Sequence, residues 1–205
     1  SIELARALKH FDIEVLMVDG VYHRLKAARM AGLDTYLGEI LSEHAEQSLD
    51  THHLGHLLAA TPNDFYNALV CNALGARFGR HRTLQLPTAE SARSEERRLT
   101  AEQRGHLAFS EDCDADWLQE RLDEGWAVQH TRLSEDHGLD ALRTRLGEPG
   151  RDWLLLAGIR PGGEPRLYSE ELPFEPEDEW HVLYFAPGGD SERDDADPSD
   201  AAAAS

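Results

Sequence analysis

The sequence predicts an α/β fold for the first part of the chain and a smaller α+β unit behind it. Three observations lead there. From residue 13 to residue 67 short apolar runs alternate with helix-like runs. The first apolar run stops on Asp19-Gly20 and the third on Thr61-Pro62-Asn63-Asp64. A stretch rich in Ser, Glu and Arg, with no apolar face wide enough to fold alone, then separates this pattern from a second set of strands. Strand, helix, strand, helix is the signature of βαβ units, whose crossover helices return the chain to the same edge and so make the strands parallel.

Residues 2–9 carry apolar side chains at helical spacing and lead through Phe11 into a strand at 13–18. The next helix, 22–31, ends against Gly32, a residue suited to the left-handed conformation that closes many helices. A short strand follows at 35–37, and Ser42 is placed to cap a helix reaching residue 49. The strand at 56–60 hands over to a helix that carries Asn67 and closes at Gly79; Pro62 fits its first turn. Residues 83–87 read as a further strand ended by Pro87. In Rossmann-like sheets the ribose-binding acid ends the second strand, roughly twenty residues after the glycine loop. Counting back from Asp19 puts that loop at or before Ser1. The expectation is a Rossmann-like parallel sheet lacking its first strand, an N-terminally truncated domain over 1–88, with 15–18 and 57–60 as neighbouring strands of one sheet.

Residues 89–105 are expected to form a linker, in part helical. The second unit, 106–187, offers a helix at 116–123, a strand at 126–133, a helix at 139–146 and a buried strand at 153–159. Pro161-Gly162-Gly163 marks a turn before short strands at 166–168 and 180–185. Residues 188–205 hold six acids, one arginine and no large apolar residue, the composition of a disordered tail.

Composition narrows the function. A net charge of −19, of which the tail supplies only five, leaves no basic stripe for nucleic acid and disfavours an anionic membrane surface. No apolar run approaches the eighteen residues of a membrane span, and the start at Ser1-Ile2-Glu3-Leu4 has neither signal-peptide charge nor a cleavage pattern. Cys71 and Cys113 stand far apart without Cys-x-x-Cys spacing, which suits a reduced, cytoplasmic setting; Cys71 falls on the apolar face of its helix, as a buried structural thiol would.

Candidate ligand contacts gather where strands end. Asp19 can accept hydrogen bonds from both hydroxyls of a ribose, or it can simply start a turn with Gly20. Gly38 and Glu39 close the next strand and either line an adenine pocket or form a turn. Thr61, Asn63 and Asp64 occupy a strand-to-helix turn, where backbone N–H groups favour anions and where Thr61 or Asn63 can also cap the helix. His44, His52, His53 and His56 lie close in sequence to Glu43 and Asp50; a metal would need them to converge, and His52-His53-x-x-His56 offers at most two side chains on one helical face, so exposed loop histidines are the main reading and a pH-responsive cluster another. No nucleophile elbow, Walker loop or His-Glu-x-x-His motif is present, so the chain is not expected to be an enzyme.

These residues resemble the cytoplasmic regulator-of-potassium-conductance module, also called the Trk-A N-terminal domain, in the version appended to monovalent cation:proton antiporters. The resemblance rests on Glu14-Val15-Leu16-Met17-Val18-Asp19, Lys26-Ala27-Ala28-Arg29-Met30-Ala31-Gly32, Gly38-Glu39-Ile40-Leu41-Ser42-Glu43-His44, and Leu57-Leu58-Ala59-Ala60-Thr61-Pro62-Asn63-Asp64 with Asn67. Residues 154–163 and 181–185 echo the module's C-terminal half, with a departure at Glu177-Asp178-Glu179. The resemblance implies a regulatory domain on the cytoplasmic face of the cell membrane, joined to an upstream transmembrane antiporter domain of the same polypeptide. It also implies a homodimer and a small nucleotide ligand, NAD(H) or an adenine nucleotide. A peripheral potassium-uptake or channel-gating subunit is the alternative, and a fragment of a dinucleotide-dependent oxidoreductase a further one, disfavoured because the second half lacks the acid–base pair of a hydride-transfer site.

Overall fold

The computed structural model describes residues 2–89 and 99–188. The expected tail beyond 188, and residues 90–98 of the expected linker, lie outside these.

The chain opens with α1 (Ile2–His10), followed by β1 (Leu16–Asp19), α2 (Tyr22–Met30) and β2 (Asp34–Leu37). β1 and β2 pair in parallel, with Leu16 opposite Asp34 and Asp19 opposite Leu37. The crossover α2 buries Leu25 and Ala28 and ends at Ala31, after which Gly32 takes φ 73°. α3 (Glu43–Ser48) starts where Ser42 Oγ accepts from Ala45 N at 3.1 Å. β3 (Leu57–Ala59), α4 (Asp64–Phe78) and β4 (Thr83–Gln85) form a second parallel unit, which β5 (His106–Leu107) extends on the far side of β4.

The strands at 15–18 and 57–60 are not neighbours as expected. β1 belongs to a two-stranded sheet with β2, and β3 to a separate three-stranded sheet in the order β3-β4-β5. The physical reason is that an apolar run reports that a strand is covered and not which strand it pairs with. Among the described residues no strand pairs with both sheets, and side chains bridge them: Tyr66 Oη donates to Glu39 Oε2 at 2.6 Å, and His53 Nε2 lies 3.3 Å from Glu14 Oε2. Val15 and Leu58 also rest against a common core.

The remaining elements are α5 (Ala115–Asp123), β6 (Trp126–Arg132), α6 (Leu139–Leu146), β7 (Leu154–Ile159), β8 (Pro165–Leu167) and β9 (His181–Pro187). The strands make an antiparallel sheet in the order β6-β9-β7-β8. All six residues of β7 are buried, which explains its unbroken apolar run. Its first three side chains alternate between two cores, and a bulge between Leu155 and Ala157 then keeps Ala157 and Ile159 with the first. Leu154 and Leu156 join Leu183 and Phe185 of β9 on one face, and Leu155 joins Val182 and Tyr184 on the other. The first of these cores also takes in Leu4 and Leu8 of α1 and Leu84 and Leu86 at β4, so the parallel and antiparallel parts share it. β5 belongs to the parallel sheet by pairing, although 106 opens the second unit by composition. Two residues are too few to show alternation.

Gly158 marks the tightest point of β7. A Cβ there would sit 2.8 Å from Phe174 Cε2 and 2.8 Å from Trp180 Cε3. Gly158→Ala is expected to lower stability by about 2 kcal/mol through overpacking, read as a lower urea midpoint.

Candidate functional site

The sequence-predicted residues sit at the carboxyl ends of β1, β2 and β3, where open parallel sheets present their ligand-facing loops. Asp19 closes β1. Its Oδ1 accepts from Val21 N at 2.7 Å, its Oδ2 lies 3.7 Å from Arg24 Nη1, and its backbone oxygen accepts from Gly38 N at 3.1 Å. Both carboxylate oxygens are thus engaged locally, while the side chain keeps 27% of its surface exposed. Gly38 lies so close to Tyr36 that a Cβ would fall 2.9 Å from the ring.

Glu39 reaches across the gap between the two sheets. Oε2 accepts from Tyr66 Oη, and Oε1 lies 2.6 Å from where a Cβ on Gly20 would stand. Gly20, Glu39 and Tyr66 therefore bring the end of β1, the end of β2 and the first turn of α4 together. Burial pushes the Tyr66 phenol up to about 12, and the hydrogen bond to Glu39 and that carboxylate's charge add to the effect. Tyr66 accordingly stays a donor at any neutral pH.

In the turn after β3, Asn67 is fully buried and grips Thr61 at both backbone groups. Its Oδ1 accepts from Thr61 N at 3.0 Å and from Thr61 Oγ1 at 2.6 Å, and its Nδ2 donates to Thr61 O at 2.8 Å. Asn63 caps α4, with Oδ1 accepting from Tyr66 N at 2.9 Å. Asp64 turns inward instead. It is 7% exposed, and its Oδ1 accepts from Gln85 Nε2 at 2.9 Å. Gln85, itself 0% exposed, accepts from Gly105 N at 3.0 Å through Oε1, so one side chain ties α4, β4 and the start of β5 together. Thr61 and Asn63 remain at the surface.

Tyr66, Asn67 and Gln85 thus do work that sequence reasoning did not assign to them. A signal existed for two. Gln85 is the one polar residue in Leu84-Gln85-Leu86, and Asn67 lies four residues after the capping Asn63 on the inward face of α4.

The histidines at 44–56 do not converge. His44 stacks on Tyr36 with ring centroids 6.3 Å apart, and His53 faces Glu14. Burial, assisted by Arg82, pushes His56 down to about 4, so it is neutral at pH 7. Among the described residues no three His, Cys, Asp or Glu side chains are grouped as metal ligands would be.

At the opposite, amino edge of the parallel sheet, Glu171 collects Arg104 Nη1 at 3.1 Å, Arg104 Nη2 at 2.5 Å, His106 Nδ1 at 3.2 Å and Leu107 N at 3.2 Å. Burial opposes its charge, but the arginine and the other donors outweigh that and hold the carboxyl below its usual range. Cys71, packed under Gly105, has its thiol pushed up to about 12 by burial and is chemically quiet.

No family model matches the chain, and no curated protein matches it. A solved structure described as "Crystal Structure of the GsuK RCK domain" aligns with 84% of this chain at 12% identity and a TM-score of 0.31. This chain covers 43% of the length of that one, and the fold described above rests on its own strand pairings.

Proposed function

We propose that the chain is a ligand-sensing regulatory domain of a monovalent cation:proton antiporter, held at the cytoplasmic face of the membrane by a transmembrane domain of the same polypeptide and working as a homodimer. In this reading 1–88 is a Rossmann-like domain and 106–187 a smaller companion. The parallel strands lie in two sheets, β1-β2 and β3-β4-β5. The ligand is NAD(H) or another adenine nucleotide. The observation that carries the reading is that Gly38 N donates to Asp19 O and Tyr66 Oη to Glu39, which ties the carboxyl ends of β1 and β2 to the first turn of α4, the helix that Asn63 caps. Asp19 and Glu39 are the acceptors for ribose hydroxyls, and Gly38, packed against the Tyr36 ring, lies at the edge of the adenine pocket. Thr61 and Asn63 face the ligand, while Asp64 holds their turn from beneath. A nucleotide on Asp19 competes with Val21 N–H and Arg24 for the same oxygens, so occupancy alters the turn between β1 and α2. The same geometry suits a potassium-uptake or channel-gating subunit equally, since these differ only in the membrane partner.

Calorimetric titration of NADH, ATP, AMP and cyclic dinucleotides into the protein tests the site. One of the four is expected to bind, and Asp19→Asn to weaken it at least tenfold while leaving the thermal midpoint within a degree or two, roughly the scatter of a neutral surface change. Absence of heat for all four overturns the nucleotide reading.

A further inference from the structure

Far from the carboxyl edge, three histidines from three elements meet around Phe11, immediately after α1. The ring centroids of His10 and His130 lie 5.2 Å from that of Phe11, and the ring centroid of His181 lies 4.8 Å from it. His10 and His130 are themselves 5.3 Å apart. His10 ends α1, His130 belongs to β6 and His181 opens β9, where it pairs with Arg132 in the strand register. This is the seam along which α1 packs on β6. The helix matters because Leu4 and Leu8 line the core shared by the parallel and antiparallel parts, while Ala5 packs with Ala28 and Leu33.

We propose that this seam is an acid-responsive latch: with the three imidazoles neutral α1 stays seated on the antiparallel sheet, and as they take up protons the helix is released.

The charges around the seam favour that direction. On α1, Lys9 is turned away, its Nζ donating to Gly32 O. After Phe11, Asp12 is exposed and Glu14 faces His53. On β6 the neighbour is Arg132, and before β9 it is Glu179, which is occupied by an ion pair with Arg132. A proton added to His181 therefore arrives beside His130, His10 and Arg132, with the Glu179 carboxylate already shared with that arginine. His181 Nδ1 is buried with no hydrogen-bond partner to steady a charge. Burial holds the His181 imidazole below its ordinary value of 6.5, with Arg132, His130 and His10 pushing the same way and Glu179 opposing. A histidine whose value is lowered on folding favours the seated state while it is neutral. That contribution is complete above 6.5 and is lost as pH falls through the lowered value.

Hydrogen–deuterium exchange of the full 205-residue chain at pH 7.5 and pH 5.5, corrected for intrinsic exchange rates, tests the latch. Amides of α1 are expected to lose about tenfold in protection at pH 5.5, on the order of the coupling typical of regulatory sites, and those of β7 to lose less. His130→Gln with His181→Gln is expected to abolish most of that difference. Unchanged α1 protection between the two pH values, or an equal loss in the double variant, overturns the proposal. Because the double variant can be unstable in its own right, NMR titration of the wild-type imidazoles stands as a second measurement. Coupled titrations, with His181 below its ordinary value, support the latch, and three independent titrations at ordinary values overturn it.

Discussion

Gln85→Leu is expected to destabilise the protein by about 4 kcal/mol, because stranding a buried hydrogen-bonding group costs roughly 1–3 kcal/mol and more when it is charged. Leucine fills nearly the same space but removes both polar functions. Gly105 N–H loses its acceptor at 3.0 Å, and the Asp64 carboxylate, 7% exposed, loses the amide donor at 2.9 Å. Both lie between α4 and the β4–β5 pair, where water cannot replace the lost partners without opening the sheet. Urea unfolding reads the effect as a lower midpoint at an unchanged slope. Gln85→Glu separates the two halves of the cost: it keeps an acceptor for Gly105 and places a second carboxylate against Asp64. A loss under about 1 kcal/mol for Gln85→Leu, the ordinary net worth of one hydrogen bond, would mean that the bridge is not what aligns these strands.

Trp153→Ala is expected to cost about 4 kcal/mol, in the range for emptying a buried aromatic site. Trp153 is 1% exposed, packs in the core with Leu133, Leu139, Leu142 and Val182, and meets the Tyr184 ring edge-on at 6.2 Å. Its Nε1 donates to Gly147 O at 3.0 Å, pinning the residue that ends α6. At about 2–4 °C per kcal/mol for a chain of this size, the thermal midpoint should fall by roughly 12 °C. Trp153→Phe keeps most of the filling and loses the N–H, so it should recover more than half of the deficit. Equal losses for the two variants would assign the effect to the Gly147 hydrogen bond instead of to packing.

Much of the architecture was legible because burial writes itself into patterns. The apolar runs at 13–18, 56–60 and 153–159 and the capping residues Ser42 and Asn63 all mark elements found in the structure. β5 was not legible, being two residues long. Nor was the separation of β1 from β3, since the apolar character of a strand says that it is covered and not by what. At the candidate site, the ends of β1 and β2 could be read from Asp19-Gly20 and Gly38-Glu39. The inward turn of Asp64 could not, because it depends on Gln85 lying beneath, twenty-one residues away. The four histidines between 44 and 56 drew attention by proximity in sequence, whereas the three that meet come from positions 10, 130 and 181, which only tertiary packing brings together.

The core shared by the parallel and antiparallel parts has a practical consequence for dissecting the molecule. A fragment ending near residue 88 would leave Leu84 and Leu86 facing solvent, and one beginning near 106 would do the same to Leu154, Leu156, Leu183 and Phe185. Neither piece closes on itself, so the two should melt in a single cooperative step, and whatever loosens one is felt by the other as a loss of its own support.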